Sequence, residues 1–204
     1  MLTLDKLSFS YGKKEILREL SYVFPEHAAV AITGSSGIGK TTLLHLIAGL
    51  LTPASGQIHC DLNRPAFIFQ EPRLFPWLTA LDNVRLIGGD DGRAAELLDL
   101  LLEDPDAKHL YPNELSGGMK QRVSIARALA YEGDLILMDE PFRGLDPQTR
   151  GRVAARFFEM SAGKTVLMVT HDQNELPYCK QILRLEGDPA SRLILEKSSI
   201  SQFE

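Results

Sequence analysis

The sequence predicts an α/β protein with a mostly parallel core sheet and an inserted helical subdomain. Continuous apolar runs at 28–33, 135–138 and 165–169 are typical of strands buried on both faces. Helical segments alternate with these runs, which favours parallel strands joined by helices. From about 76 to 130 the pattern is helical throughout, and this stretch predicts the insertion.

The first third of the chain predicts short strands and one helix. Leu20, Tyr22 and Phe24 alternate with polar residues, which is the period of a half-buried strand. The apolar run 28–33 leads into a glycine-rich segment and then into a helix over 42–48, ended by the glycine that follows. Further strands are predicted at 57–60 and 66–69.

The later elements are mainly helices, followed by a hairpin. A Thr-x-x-Asp pattern at 79–82 predicts a helix N-terminus, and 93–103 and 119–130 carry apolar residues at helical spacing. Asp146-Pro147 predicts another helix start, with Asp as the N-cap and Pro in the first turn. The last predicted element is a hairpin over about 182–195.

Length and composition set the class of protein. A chain of 204 residues predicts a single domain, 1–204, with the helical subdomain at about 76–130. Hydrophobic residues make up 44% and charged residues 24%, which excludes a disordered or collagen-like chain. The formal net charge of −5 argues against a nucleic-acid partner, because such partners require a basic surface.

The two cysteines, Cys60 and Cys179, lie far apart and outside any C-x-x-C pattern. We therefore expect neither a disulfide framework nor a zinc site, and we interpret both as buried thiols in a reducing compartment. An acidic residue at position 5 argues against a signal peptide, and no apolar stretch approaches the ~18 residues of a membrane span. We expect a soluble, cytoplasmic chain whose membrane role depends on a partner.

The clearest motif, at 34–41, matches G-x-x-x-x-G-K-[ST] in full. Glycines let the backbone curl so that successive N–H groups point inward, and the following helix adds its positive end. Lys40 is expected to reach the β- and γ-phosphates, and Thr41 to coordinate Mg²⁺. This phosphate-binding loop (P-loop) predicts nucleotide binding.

Polar residues follow three other predicted strands. Asp139 ends the run at 135–138 and is expected to hold Mg²⁺, while Glu140 beside it is the candidate general base for water. Gln70 follows the strand at 66–69, and His171 follows the strand at 165–169. Ligands of open α/β sheets bind beyond the carboxyl ends of the strands, so these residues are expected to serve the P-loop ligand.

A further motif, Leu-Ser-Gly-Gly-Met-Lys-Gln-Arg, occupies 115–122. Ser116, Gly117 and Gly118 precede a predicted helix, so they offer free N–H groups and a hydroxyl. Two interpretations stay open from spacing alone. The segment is either a helix cap or a second anion site, and that site serves either this chain or another.

Together these motifs resemble the ATP-binding subunits of ABC transporters, over about residues 1–185. The motif at 115–122 looks like the family's signature sequence, and 34–41 and 135–140 look like its Walker A and Walker B motifs. Segment 144–146 resembles the D-loop, and Tyr11 resembles the aromatic residue that stacks on adenine. The resemblance implies a P-loop NTPase of the ABC ATPase type, with an N-terminal antiparallel β subdomain, that uses ATP and Mg²⁺.

The resemblance also assigns roles to residues. It implies that Lys40, Gln70, Glu140 and His171 are catalytic, and that Thr41, Gln70 and Asp139 hold Mg²⁺. The residues it assigns to the nucleotide are Tyr11, Gly34, Ser35, Ser36, Gly37, Ile38, Gly39, Lys40, Thr41, Thr42, Ser116, Gly117 and Gly118. Two subunits, expected to be copies of this chain, would enclose two Mg-ATP head to tail, with Ser116–Gly118 of one facing the P-loop of the other. The implied partners are membrane permease subunits, which hold the chain at the cytoplasmic face of the membrane, and indirectly an extracytoplasmic solute-binding protein.

Segment 70–84, QEPRLFPWLTALDNV, is similar to the ATPases of nitrate, sulfonate and taurine importers, which implies import of a small anion or organic solute. In that group a permease helix docks near this segment. Leu74, Phe75, Trp77 and Leu78 would then form an apolar groove, although they are also compatible with the core of the helical subdomain.

Some residues depart from the family pattern. The spacing from Lys40 to Asp139 is somewhat short, and Arg143 puts a charge at the D-loop where a small residue is usual.

Three alternative functions remain: an exporter or lipoprotein-release ATPase, a soluble ABC protein acting on ribosomes or DNA, and a P-loop kinase. Segment 70–84 argues against the first, the single cassette and acidic charge against the second, and the signature motif with Glu140 against the third.

Overall fold

The computed structural model describes residues 1–62, 65–88 and 90–196, and this part of the chain forms nine strands and five α-helices. The strands are β1 (Leu2–Tyr11), β2 (Lys14–Phe24), β3 (Ala29–Thr33), β4 (Ser55–Cys60), β5 (Ala66–Ile68), β6 (Leu135–Asp139), β7 (Thr165–Val169), β8 (Gln181–Gly187) and β9 (Ala190–Glu196). The helices are α1 (Lys40–Ile47), α2 (Ala80–Gly88), α3 (Asp91–Leu101), α4 (Gly117–Ala130) and α5 (Pro147–Met160). Short 3₁₀ helices cover Pro105–His109 and Leu176–Tyr178.

The chain divides into two compact units. The first comprises Met1–Pro65, Gly133–Asp139 and Gly163–Glu204, and the second comprises Ala66–Glu132 and Glu140–Ala162. The stretch 76–130 is predicted to be helical, and its described residues form α2, α3, the 3₁₀ helix at Pro105–His109 and α4, with turns and coil over 102–104 and 110–116. Its boundaries as a subdomain, 76–130, and the single domain over 1–204 stay predictions.

The first unit contains the predicted parallel core. Strands β8, β3, β7 and β6 lie side by side and pair in parallel. Every residue of β6 and β7 is buried, as expected for continuous apolar strands covered on both faces. Because β3 and β6 are parallel to β7, their carboxyl ends, at Thr33 and Asp139, lie at one edge of this sheet.

Antiparallel strands flank this core, again as predicted. Strand β1 pairs with both β2 and β4, and Leu2 faces Phe24 on one side and Cys60 on the other. At the other end of the chain, β8 and β9 form the expected antiparallel hairpin. Strand β9 then meets β2 at a single parallel pair, Leu17 with Ala190, which joins the antiparallel strands to the core.

The second unit is mainly helical, and side chains cap its helices. Asp146 accepts a hydrogen bond from the Thr149 N–H at 3.0 Å, which places the start of α5 where Asp146-Pro147 predicts it. The backbone hydrogen bonds it accepts lower the pKa of the Asp146 carboxyl. Thr79 likewise accepts from the Asp82 N–H at 3.1 Å and defines the start of α2.

The prediction for Cys60 is wrong. Cys179 is buried, as expected, but Cys60 is exposed. Cys60 ends β4, the outermost strand of the antiparallel region, and most of that strand is exposed to solvent. Within the described residues, we find no helix with the length and apolar character needed to cross a bilayer.

Candidate functional site

The P-loop connects β3 to α1 in the first unit and depends on glycine at close approaches. Gly39 has a φ of 114°, and a Cβ added there would lie 2.7 Å from Cγ2 of Ile16. Gly34 has a φ of 141°, and its added Cβ would lie 2.9 Å from the carbonyl oxygen of Leu185. Any larger residue at either position would therefore push the loop away from its neighbours.

Two polar side chains at the start of α1 define the chemistry of this loop. Lys40 Nζ donates to the carbonyl oxygens of Gly34 at 2.8 Å and Ser35 at 2.9 Å, so its ammonium group lies against the loop backbone. The Thr41 hydroxyl donates to Oδ2 of Asp139 at 2.8 Å, and Asp139 is buried. A hydroxyl and a carboxylate in contact next to a phosphate loop are the oxygen donors that suit Mg²⁺.

A cavity of about 260 Å³ adjoins the P-loop within the same unit. Its walls are the start of β2 (14–16), the loop segment 35–38, which includes Ser36, Gly37 and Ile38, and the hairpin tip 187–190. Tyr11, at the end of β1, is 52% exposed and packs edge-to-face on Phe9 at 4.8 Å. Thr42, in the first turn of α1, is buried.

His171 follows β7 and lies in a turn held by polar side chains. The Thr170 hydroxyl donates to Oε2 of Glu175 at 2.5 Å and accepts from the Asp172 N–H at 3.0 Å. The Thr170 N–H also reaches the Ile32 carbonyl at 3.4 Å, which connects this turn to the strand before the P-loop. Glu175 and Thr170 are both buried, so the hydrogen bond between them is shielded from water.

In the second unit, Glu140 lies at the centre of a polar group. Its Oε2 accepts from Nε2 of Gln70 at 3.3 Å and pairs with Nη1 of Arg143 at 3.1 Å. Its φ of 47° is in the left-handed region, which is unusual for a residue with a side chain. Of the three residues assigned to Mg²⁺, Thr41 and Asp139 thus touch each other, whereas Gln70 bonds Glu140.

Segment 116–118 forms the N-terminus of α4. The Ser116 hydroxyl accepts from the Met119 N–H at 3.2 Å, so the helix-cap interpretation is confirmed. Gly117 is exposed, and a Cβ added there would have no atom within 4 Å. Gly118 is closer to its surroundings, because its added Cβ would lie 3.2 Å from Cδ2 of Leu145. The cap and a nucleotide contact are compatible, and the nucleotide contact stays a prediction.

Two buried polar residues of α4 hold this motif in place. Gln121 Nε2 donates to the Pro141 carbonyl at 2.6 Å. Arg122 Nη1 donates to the Leu101 carbonyl at 3.2 Å, and burial lowers the pKa of its guanidinium. The sequence analysis missed these roles. Polar residues among the many apolar positions of this helix could have indicated buried side chains with hydrogen-bond partners.

Segment 70–84 is shaped by Asn83, which sequence reasoning also missed. Asn83 is fully buried, and its amide donates to the carbonyls of Phe75, Leu78 and Thr79 at 2.9–3.1 Å. Its oxygen accepts from the Phe75 N–H at 2.8 Å. Trp77 is 69% exposed, whereas Leu74, Phe75 and Leu78 are half-buried. None of these four apolar residues is a core residue, which favours the surface interpretation over the core interpretation.

The site combines a P-loop, its lysine and threonine, and an acidic strand end in contact with that threonine. A glutamate follows directly in sequence, and together these features define a P-loop nucleoside triphosphatase. The comparisons with known proteins narrow this class. A family model described as ABC transporter matches residues 17–143. The chain therefore belongs to the ABC transporter family, as an ATP-hydrolysing cassette, and the predicted resemblance is confirmed.

Relatives and a solved structure agree with this assignment. The aliphatic sulfonates import ATP-binding protein SsuB of Zymomonas mobilis is 40% identical, over 91% of this chain and 82% of its own length. The nitrate transport protein NasD of Klebsiella oxytoca is 37% identical, over 92% of this chain and 79% of its own length. The ATP-binding cassette MJ0796, solved as a dimer in a post-hydrolysis state with ADP and Pi, superposes with a TM-score of 0.86 at 31% identity, covering 97% of this chain and 98% of its own.

Proposed function

We propose that this ATPase drives the import of a small anion or organic solute such as a sulfonate, nitrate or taurine. The observation that carries the proposal is the similarity, across more than nine-tenths of the chain, to proteins named for sulfonate import and nitrate transport. The surface formed by segment 70–84 supports it, because an exposed tryptophan among half-buried apolar residues suits contact with another protein.

The residues of the P-loop fit Mg-ATP. Backbone N–H groups of 34–39 and the ammonium of Lys40 would hold the β- and γ-phosphates, and Tyr11 would stack on the adenine. Thr41, Asp139 and Gln70 would hold Mg²⁺. A bound Mg²⁺ supplies neutralisation of the charge that develops on the β- and γ-phosphate oxygens.

Glu140 is the proposed general base. It would take a proton from the attacking water as the water oxygen bonds to the γ-phosphorus. The bond from that phosphorus to the bridging oxygen breaks at the same time, and its electron pair leaves with ADP. His171 would contact the γ-phosphate. The hydrogen bonds of Thr170 with Glu175 and with the Asp172 N–H support this role, because they fix the turn that carries His171.

We further propose that a second copy of the chain completes each nucleotide site through Ser116–Gly118. The dimeric state of the solved cassette MJ0796 and the open space around Gly117 support this arrangement. Permease subunits would dock on the Trp77 surface and hold the chain at the cytoplasmic face of the membrane, with a solute-binding protein on the other side.

The test is co-purification of the tagged full chain from gently solubilised membranes, for the wild type and for Trp77→Ala. We expect a polytopic permease with the wild type, less of it with the variant, and unchanged ATPase activity of the purified variant. The gene neighbours of that permease would then lead to the solute-binding protein and the substrate. Ribosomal or DNA-associated proteins without any membrane protein would contradict the importer function and favour the soluble alternative.

A further inference from the structure

The residue that departs from the family pattern, Arg143, contacts the proposed general base. The D-loop position where a small residue is usual carries a guanidinium, and its Nη1 lies 3.1 Å from Oε2 of Glu140. The Glu140 side chain is 22% exposed and that of Arg143 is 60% exposed, so the pair lies at the edge of solvent.

A backbone turn brings the two side chains together. The Arg143 N–H donates to the Glu140 carbonyl at 3.2 Å, which closes a turn with Pro141 at its second position. Because the first and fourth residues of such a turn are close in space, the side chains of Glu140 and Arg143 are neighbours by construction. The contact therefore follows from local sequence.

The turn itself is anchored on both of its middle residues. The Pro141 carbonyl accepts from the buried amide of Gln121 at 2.6 Å. The Phe142 ring is fully buried and packs edge-to-face on Phe157 with a centroid distance of 6.3 Å. Because the backbone of the turn is already fixed, forming the ion pair costs only the rotamer freedom of the two side chains.

We propose that Arg143 is a positioning residue that restrains the Glu140 carboxylate and lowers the basal rate of ATP hydrolysis. This inference rests on the proposed role of Glu140 as general base. The carboxylate oxygen that Arg143 and Gln70 both contact is one of the two atoms able to accept the proton of the attacking water. Proton transfer to this oxygen requires the pair to separate, and the pair also makes the whole carboxylate a weaker base, so both effects add to the activation barrier.

The test compares basal ATP hydrolysis by the purified full chain for Arg143→Ala, Arg143→Lys and a matched control, Arg156→Ala. Arg156 forms a pair of the same spacing with Glu159 at 3.2 Å on α5, with both side chains exposed. We expect Arg143→Ala to raise kcat about two- to five-fold with little change in KM, the size expected for one exposed pair. Arg143→Lys should fall between wild type and Arg143→Ala, and Arg156→Ala should match wild type.

The salt dependence of kcat provides a second readout, which would not change if Arg143 only stabilised the fold. Salt screens the pair, so wild-type kcat at saturating ATP should approach that of Arg143→Ala as ionic strength rises, while the ratio of Arg156→Ala to wild type stays constant. A third readout needs no activity. In urea unfolding, the midpoint shift of Arg143→Ala with Glu140→Gln should be smaller than the sum of the two single shifts.

Glu140→Gln separates this inference from the function on which it rests. If Glu140→Gln abolishes turnover but Arg143→Ala leaves kcat unchanged or lowers it, the restraint is wrong and the general base stands. If Glu140→Gln retains near-wild-type turnover, the general base is wrong, and the inference fails with it.

Discussion

The hydrogen bond between Thr41 and Asp139 is the direct link between two motifs that lie far apart in sequence. The hydroxyl donates at 2.8 Å to a buried carboxylate at the end of β6. Thr41→Val keeps the shape of the side chain but removes that donor and a proposed Mg²⁺ ligand. We expect it to lower ATPase activity by on the order of 10–100-fold and to raise the Mg²⁺ concentration needed for half-maximal rate.

Thr41→Ser is the matched control, because it keeps the hydroxyl and loses only a methyl group. Its ATPase activity and Mg²⁺ requirement should stay close to those of the wild type. A Thr41→Val variant with unchanged Mg²⁺ dependence would show that the hydroxyl does not hold the metal.

The two cysteines differ in burial, and this difference predicts different thiol reactivity. Burial, together with the nearby charge of Glu175, raises the pKa of the Cys179 thiol from 9.0 to about 12. Since the thiolate is the reactive form, Cys179 should not react with a disulfide reagent at pH 8, whereas the exposed Cys60 should. We expect one reactive thiol per native chain and two in denaturant, with Cys60→Ser leaving none in the native chain.

The same shift predicts how stability depends on pH. The folded chain keeps the Cys179 proton at pH values where the unfolded chain has lost it, so its contribution is complete below pH 9 and is lost as pH rises towards 12. The free energy of unfolding should therefore fall over this range. Cys179→Ala should show a shallower fall, and an equally steep fall in that variant would exclude Cys179 as the cause.

Residues in contiguous motifs could be predicted from the sequence, whereas burial at sheet edges could not. Thr41 and Asp139 each belong to a short pattern with a known chemical purpose, so their contact follows once the strands align. The exposure of Cys60 depends instead on β4 lying at the end of the described sheet, beside β1, and the local sequence does not specify this long-range pairing. The Glu140–Arg143 pair could be predicted in part. The turn brings the two residues close together, but the contact itself depends on the conformations of their side chains.

Asn83 determines the shape of the segment before α2. Its amide makes three hydrogen bonds to backbone carbonyls and its oxygen accepts one from a backbone N–H. Asn83→Ala would remove all four bonds. The carbonyls of Phe75 and Thr79 keep backbone hydrogen bonds from Leu78 and Asn83, so the loss falls mainly on the Phe75 N–H and the Leu78 carbonyl. We expect the free energy of unfolding to fall by about 2–3 kcal/mol.

Asn113→Ala is the control for this prediction, because Asn113 is exposed. It should change the free energy of unfolding by less than about 0.5 kcal/mol. Urea unfolding of the three proteins measures the difference. Equal stability of Asn83→Ala and wild type would mean that water or a rearranged loop replaces the amide.

The type of an element could be predicted where one sequence pattern was clear. Strands β6 and β7 were evident because they are continuous apolar runs, and α5 because a capping aspartate precedes a proline. Helix α1 begins two residues earlier than predicted, since Lys40 and Thr41 are polar but helical. The roles of Asn83 and Glu175 escaped prediction because a buried polar residue is defined by its partners, and those appear only after folding.

The motifs of the chain are divided between its two units. The P-loop, Asp139 and His171 belong to the first unit, whereas Glu140 and the tip at 116–118 belong to the second. That tip is an exposed helix N-terminus with open space at Gly117. Such a surface suits a nucleotide held by another copy of the chain. The proposed dimer therefore depends on this tip.

We expect Glu140→Gln to be monomeric without nucleotide and to form a dimer with ATP, because ATP that is not hydrolysed would keep both sites closed. Light scattering with size-exclusion chromatography measures the mass of each state. Adding Gly117→Asp should abolish the dimer but not the fold, since its Cβ meets no atom within 4 Å and an acidic side chain suits a helix N-terminus. The new charge would instead repel the phosphates of a nucleotide bound to the other copy. Gly151→Asp, at a similarly open position on α5, should leave dimerisation intact, and an ATP-dependent dimer that survives Gly117→Asp would rule out this tip as the contact.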